Sequence, residues 1–115
     1  MGLFYVHKLK LMNTKNKVQL IGTVGKPTVN RLETDVLKAT FKIETPSTYL
    51  NDKGIKTKGE IKHLCVAYGK HGEIVERYVT EGTEIAIEGI LVQDESTGQT
   101  YVQVNDLLLL SKKTN

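Results

Sequence analysis

From Lys17 onward, apolar and polar residues alternate along the chain, and this pattern predicts strands. Val18, Leu20, Gly22 and Val24 alternate with Gln19, Ile21 and Thr23, which puts the two sets on opposite faces of an extended segment. Gly25-Lys26-Pro27 stops that run. A second strand covers about Val36 to Glu44, with Ala39, Phe41 and Ile43 on one face and Thr40, Lys42 and Glu44 on the other. Pro46, Asn51-Asp52 and Gly54 then predict a loop. A third strand runs from about Glu60 to Tyr68, and Gly69-Lys70-His71-Gly72 breaks it. Ile74, Val75, Tyr78 and Val79 recur at helical spacing, predicting a short helix over Glu73 to Val79 that Gly82 closes. Acids in its first turn, Glu73 and Glu76, suit the positive end of the helix dipole. The fourth strand is Glu84 to Leu91, with Ile85 and Ile87 facing in. Asp94 to Gln99, with Gly98, is a hairpin turn, and the fifth strand is about Tyr101 to Leu110. The run Leu107 to Leu110 reads as a buried strand end.

Three strands, one helix and two strands make an all-β chain with one short helix. Five strands with a helix between the third and fourth is the arrangement of an OB-fold, a partly open Greek-key barrel, although other small five-stranded barrels share the count. The 115 residues suffice for one domain with its own core. The division is a basic extension over 1–16, a domain over 17–110 and a tail over 111–115. The extension and the first strand position carry Lys8, Lys10, Lys15 and Lys17 and no acid. Phe4-Tyr5-Val6 is too short for the apolar core of a secretory signal, and Met12 offers an alternative start. No apolar run approaches the roughly 18 residues of a membrane span, so no membrane partner is expected.

Charge changes the picture more than composition does. The net charge of +3 conceals a gradient: residues 1–70 hold 13 Lys and Arg against 5 Asp and Glu, whereas residues 71–110 hold Arg77 against 8 acids. Charge separated in this way gives one part of the surface the field a polyphosphate partner needs.

Catalytic chemistry finds no support in the spacing. His7, His63 and His71 have no Cys or carboxylate at metal-ligand spacing. Gly25-Lys26 and Gly69-Lys70 do not complete a phosphate-binding loop, because Pro27 and His71 stand where its hydroxyl belongs. No nucleophile elbow occurs. Cys65 is alone in an alternating stretch and reads as a small buried hydrophobe. The expectation is a protein with no enzymatic activity, no cofactor and no metal.

A binding surface is what remains. Holding a single strand without reading its sequence needs cations along the backbone and aromatic faces for the bases, at ~1–3 kcal/mol per stacked base. Residues 49–70 offer both: Lys53, Lys56, Lys58, Lys62 and Lys70 against Asp52 and Glu60, bracketed by Tyr49 and Tyr68. In the third strand Lys62, Leu64, Val66 and Tyr68 share a face by parity. The competing reading makes Tyr68 half-buried core and the lysines ordinary solvated positions.

Three segments carry a family likeness. Asn16-Lys17-Val18-Gln19-Leu20-Ile21-Gly22-Thr23-Val24-Gly25 resembles the opening of the bacterial-type single-stranded DNA-binding proteins. His63-Leu64-Cys65-Val66-Ala67-Tyr68-Gly69-Lys70 resembles their W-H-R-V-V-x-F-G-K segment. Glu73 to Gly82, followed by Ile87-Glu88-Gly89, continues the match in order over about residues 16–110. The resemblance implies an OB-fold that coats single-stranded DNA in replication, recombination and repair. It implies a homotetramer in the cytoplasm, nucleoid-associated or encoded by a phage or plasmid. By position, Tyr68 matches a phenylalanine that stacks on a base, Tyr49 falls where a stacking tryptophan is usual, and Lys70 matches a lysine near the backbone. His63 matches a histidine at the subunit interface, and Tyr78 a helix tyrosine read as packing.

The departures are informative. The chain has no tryptophan, and Lys62 precedes His63 where the family often has one; Leu64 stands for the usual arginine. The loop before the fifth strand is short and acidic, with Asp94 and Glu95. The chain ends at Ser111-Lys112-Lys113-Thr114-Asn115, without the acidic tip that recruits repair proteins in bacterial relatives. Binding is therefore expected to lean on charge more than on stacking. Two alternatives share the fold: a primosomal replication-restart protein, commonly a dimer, and an OB module for protein–protein assembly.

Overall fold

The computed structural model describes residues 15–111. Most of the basic extension and the last four residues, including Lys8, Lys10, Lys112 and Lys113, lie outside that range. The elements in order are β1 (Val18–Val24), β2 (Thr28–Arg31), β3 (Leu37–Leu50), β4 (Lys56–Tyr68), α1 (Lys70–Tyr78), β5 (Glu84–Gln93) and β6 (Thr100–Ser111). Strand β1 pairs with β5, β5 with β6, β6 with β4 and β4 with β3. A short antiparallel contact, Thr23 opposite Glu44 and Val24 opposite Ile43, brings β3 back to β1 and closes the circuit. The β4–β6 pair is parallel, and the other pairs are antiparallel. This is the five-stranded OB-fold barrel, with α1 between its third and fourth strands.

Alternation explains the core. The inward rows Ala39-Phe41-Ile43 of β3, Cys65 and Ala67 of β4, Ile85 and Ile87 of β5, and Val102 and Val104 of β6 are all buried. Helix α1 closes one end by inserting Val75, with Val79 just beyond its last turn. Gly72 lets the helix approach closely, since a Cβ there would sit 3.0 Å from the Leu37 carbonyl oxygen and 3.1 Å from that of Ala67. After the helix, the Val24 N–H donates to the Thr83 carbonyl at 2.9 Å, and the Gly82 N–H donates to the Val24 carbonyl at 2.8 Å. These bonds tie the turn to the end of β1.

The structure departs from the sequence pattern in four places. A sixth strand, β2, adds to the outer edge of β3, with Thr28 opposite Thr40 and Arg31 opposite Leu37. The loop expected from Pro46 is a strand: β3 passes through Pro46, opposite Glu60, and pairs with β4 as far as Leu50 opposite Lys56. Beyond Glu44 the other edge of β3 has no ladder partner among the described residues, so a residue without an N–H is tolerated there. The turn proper is Asn51 to Ile55, where the Asn51 carboxamide oxygen accepts from the Lys53 and Ile55 N–H groups at 2.9 and 3.0 Å. Helix α1 starts at Lys70, so Glu73 is in its first turn and Glu76 is not.

The fourth departure is Leu107 to Leu110, which is not a buried strand end: Leu107 is half-buried, and Leu108, Leu109 and Leu110 are exposed. Pairing of β4 with β6 is confined to Val102 and Gln103. Past that point β6 follows β5 alone and runs off the end of the core.

Cys65 is fully buried, and loss of water pushes its thiol up to about 12. Only the neutral thiol fits this site. The stability it contributes is intact below the ordinary thiol value near 9 and is lost as pH rises toward about 12. We expect no reaction of the native protein with an aromatic disulfide reagent at pH 8, and one thiol released per chain in denaturant. Rapid labelling without denaturant would show the core to be open.

Candidate nucleic-acid interface

The register of β3 on β4 builds the candidate surface. Directly opposed residues of an antiparallel pair share a face, and here Lys38 opposes Tyr68, Thr40 opposes Val66, Lys42 opposes Leu64 and Glu44 opposes Lys62. Their odd-numbered neighbours fill the core, so this even-numbered row is the outer face of the barrel. The same row continues along the projecting hairpin through Lys58 and Lys56. Four residues singled out from sequence, Lys56, Lys58, Lys62 and Tyr68, thus fall on one face.

Two cations unmarked by the sequence join them. Lys38 and Lys42 lie on the neighbouring strand, and Lys42 is exposed. Where the β1–β2 connection passes, Lys26, Lys42 and Lys62 line an open groove of about 360 Å³ together with Thr40, Glu44 and Glu81. The one ion pair on this row, Lys62 with Glu44, is long at 3.9 Å and exposed. Pairs of that kind hold little energy, so a phosphate can compete for the ammonium.

The remaining candidates are dispersed. Tyr49 is odd-numbered on β3 and lies on the face opposite to Tyr68. Its ring covers Gly59, where a Cβ would meet the Tyr49 hydroxyl oxygen at 3.3 Å. Leu50, next along and 69% exposed, occupies the position on the Tyr68 side. Tyr49 and Tyr68 are also about 35 Å apart along the strand, given 11 residues from Thr57 to Tyr68 at ~3.3 Å each. Lys53 is at the hairpin tip, and Lys70 is exposed at the start of α1.

His63 is half-buried opposite Ile43, on the inward side of β4, with Nε2 2.9 Å from the Thr45 hydroxyl. Tyr78 is more exposed than packing requires, at 52%. It lines a recess with Thr83, Leu109 and Leu110.

At the other end of the face, Tyr101 opens β6. Partial loss of water and then the Tyr68 phenol beside it push its hydroxyl above the ordinary phenol range, with Lys38 opposing. Asp94, in the β5–β6 turn, is held below the usual carboxylate range. It accepts from the Ser96 hydroxyl at 2.7 Å and the Ser96 N–H at 2.8 Å, and the Thr97 N–H and Lys38 contribute less. Of the other acids in the second half of the chain, Glu88 and Asp106 border a separate recess on the outer face of β1, β5 and β6. Among the described residues, no cluster of His, Cys, Asp and Glu could hold a metal.

A closed OB barrel with a basic outer row matches one family. The model of the single-strand binding protein family covers residues 15–111. The chain belongs to that family. It is 34% identical over 109 residues to a single-stranded DNA-binding protein of Bacteroides thetaiotaomicron, an overlap covering 85% of this chain and 67% of that one. With the Xanthomonas campestris pv. campestris protein of the same description it shares 30% over 89 residues, 76% of this chain and 52% of that one. The chain thus spans about half the length of several curated relatives it matches.

Solved structures agree on the fold. The Plasmodium falciparum SSB complex with ssDNA superposes with a TM-score of 0.69 at 23% identity, covering 86% of this chain and 97% of that one. The priB protein of Ralstonia solanacearum gives 0.66 at 14% identity, covering 84% and 100%. At those identities the likeness concerns the barrel alone.

Proposed function

We propose that this protein binds single-stranded DNA without regard to sequence, through the outer face of β3 and β4, and carries out no chemistry on it. The observation that carries the reading is the register that places Lys38, Lys42, Lys62, Lys58 and Lys56 in one row with Tyr68. A flexible polyanion can follow such a row while a base stacks on the ring. Family membership supports the same reading, as do the relatives described as single-stranded DNA-binding proteins. Within this reading Lys53 extends the row at the hairpin tip and Lys70 adds a cation where β4 meets α1, whereas Tyr49 serves the hairpin by covering Gly59.

The protein acts as a homo-oligomer, a tetramer in preference to a dimer. Support comes from the outer face of β1, β5 and β6, where Ile21, Ala86 and Leu108 are aligned by register and Ile21 and Leu108 are 67% and 63% exposed. An apolar row of that kind is costly to leave in water. A role for His63 in the same assembly is supported by the family resemblance alone, since its ring is half-buried on the inward side of β4. Coating single strands in replication, recombination and repair, in a bacterial cytoplasm or for a phage or plasmid, is the role this chemistry fits.

The test is competition of oligo-dT, duplex DNA and RNA for a labelled oligo-dT, on protein whose mass in solution has been measured. We expect oligo-dT to win over duplex, and Tyr68→Ala to weaken it about 5- to 150-fold, the equivalent of ~1–3 kcal/mol. Equal binding of duplex, or a Tyr68→Ala variant with unchanged affinity, would remove this site assignment. A chain that binds no nucleic acid would favour an assembly module.

A further inference from the structure

We propose that Tyr101, with Lys38 between it and the groove, is a second stacking position, so that a bound strand passes from Tyr68 on β4 across to β6. The inference rests on single-strand binding and specifies how the same face continues beyond Tyr68.

The backbone fixes which way Tyr101 points. Its neighbour Val102, and Val104 beyond, fill the inward positions of β6 and are buried in the core. Alternation therefore turns Tyr101 and Gln103 outward. Strand β6 lies beside β4 in parallel, with Val66 next to Gln103. The outward row of β4 (Leu64, Val66, Tyr68) and that of β6 (Tyr101, Gln103) are thus one surface. Val66 faces outward by parity yet is only 5% exposed, so larger side chains on this surface close over it.

Three properties suit this surface to bases. Both rings are half-buried rather than enclosed, so each keeps some surface open to a base. Lys38 is directly opposite Tyr68 on β3 and near enough to Tyr101 to act on its phenol, so one ammonium serves the backbone of a strand stacked on these rings. Asp94 repels a polyanion at the β5–β6 turn, which marks the end of the path on that side. The long, tryptophan-free hairpin offers no comparable platform. Its one aromatic ring, Tyr49, lies on the other face against Gly59.

The test uses the full chain and a labelled oligo-dT at fixed moderate salt, with Tyr101→Ala, Tyr101→Phe, Lys38→Gln and Tyr68→Ala. We expect Tyr101→Ala to weaken binding about 5- to 150-fold with an unchanged salt slope, and Tyr101→Phe to stay within about threefold of the parent. Lys38→Gln should flatten the slope of log affinity against log salt by about 0.7. If Tyr101→Ala fails to fold, Tyr101→Thr removes the ring and keeps a residue suited to a strand. Tyr101→Ala or Tyr101→Thr binding like the parent while Tyr68→Ala is weakened would overturn the second position and leave single-strand binding standing. No binding by the parent chain would instead remove the reading on which it rests.

Discussion

Raising salt tenfold, from 0.05 to 0.5 M, should weaken binding of oligo-dT to this protein by about three orders of magnitude. A single strand releases counterions for each phosphate that a cation neutralises, and log affinity falls by roughly 0.7 per phosphate per log unit of salt. The outer row supplies Lys38, Lys42, Lys56, Lys58 and Lys62, and the groove adds Lys26. About five neutralised phosphates give a slope near −3.5 and a loss of about 3,000-fold, or ~5 kcal/mol. Stacking contributes a term that salt leaves almost untouched, and the described face has few rings to offer. Replacing Lys42 or Lys58 by Gln should each reduce the slope by about 0.7, since phosphate contacts weaken binding uniformly. A titration by anisotropy at several salt concentrations measures all of this. A slope shallower than about −1 would mean that the lysine row does not carry the strand.

How much of this was legible in the sequence depends on the range of the interaction involved. Local alternation was enough to find the core, because Ala39-Phe41-Ile43 and Ile85-Ile87 are buried for the reason the pattern suggests: period-two rows facing one interior. Local signals misled where context overrode them. Pro46 is an ordinary loop marker, but the free edge of β3 removes the penalty it would pay inside a ladder. Thr28–Arg31 has too little alternation to stand out and becomes a strand only because the outer edge of β3 is there to receive it. Leu107 to Leu110 is apolar enough to be core, and only the path of β6 past the barrel leaves it outside.

The site was legible to the same extent. Lys62 and Tyr68 share one strand, so parity alone aligns them. Lys38 and Lys42 required the β3–β4 register, and Tyr101 required the parallel β4–β6 contact. Both are non-local facts that no spacing along the chain encodes. Tyr49 illustrates the converse: close to the lysines in sequence, it is separated from Tyr68 by the pleat.

The glycines within the motifs that resemble the family have a different job, and Gly89→Val should expose it. Gly89 is opposite Val104, while Glu88 is opposite Asp106, so Asn105 bulges out of β6. This irregularity presses the Gln103 carbonyl oxygen onto the Gly89 Cα, where any Cβ would collide with it and lie 3.1 Å from a Val102 methyl. Neither obstacle is a flexible side-chain end; both belong to a strand whose inward residues are core. Gly22 meets the same constraint where β1 crosses β3, against the Glu44 carbonyl oxygen.

Overpacking a core typically costs ~1–3 kcal/mol, and forcing β5 from β6 adds ~1 kcal/mol for each ladder bond broken. We therefore expect Gly89→Val to lose about 3–5 kcal/mol and to melt about 12–40 °C lower, at ~4–8 °C per kcal/mol for a domain of this size. Measured in the cold, where the variant is still folded, its affinity for oligo-dT should stay within about twofold of the parent, because Gly89 is buried beneath the sheet. A melting temperature within a few degrees of the parent would show that β6 can yield. A stable variant with lost affinity would move Gly89 from the scaffold to the interface.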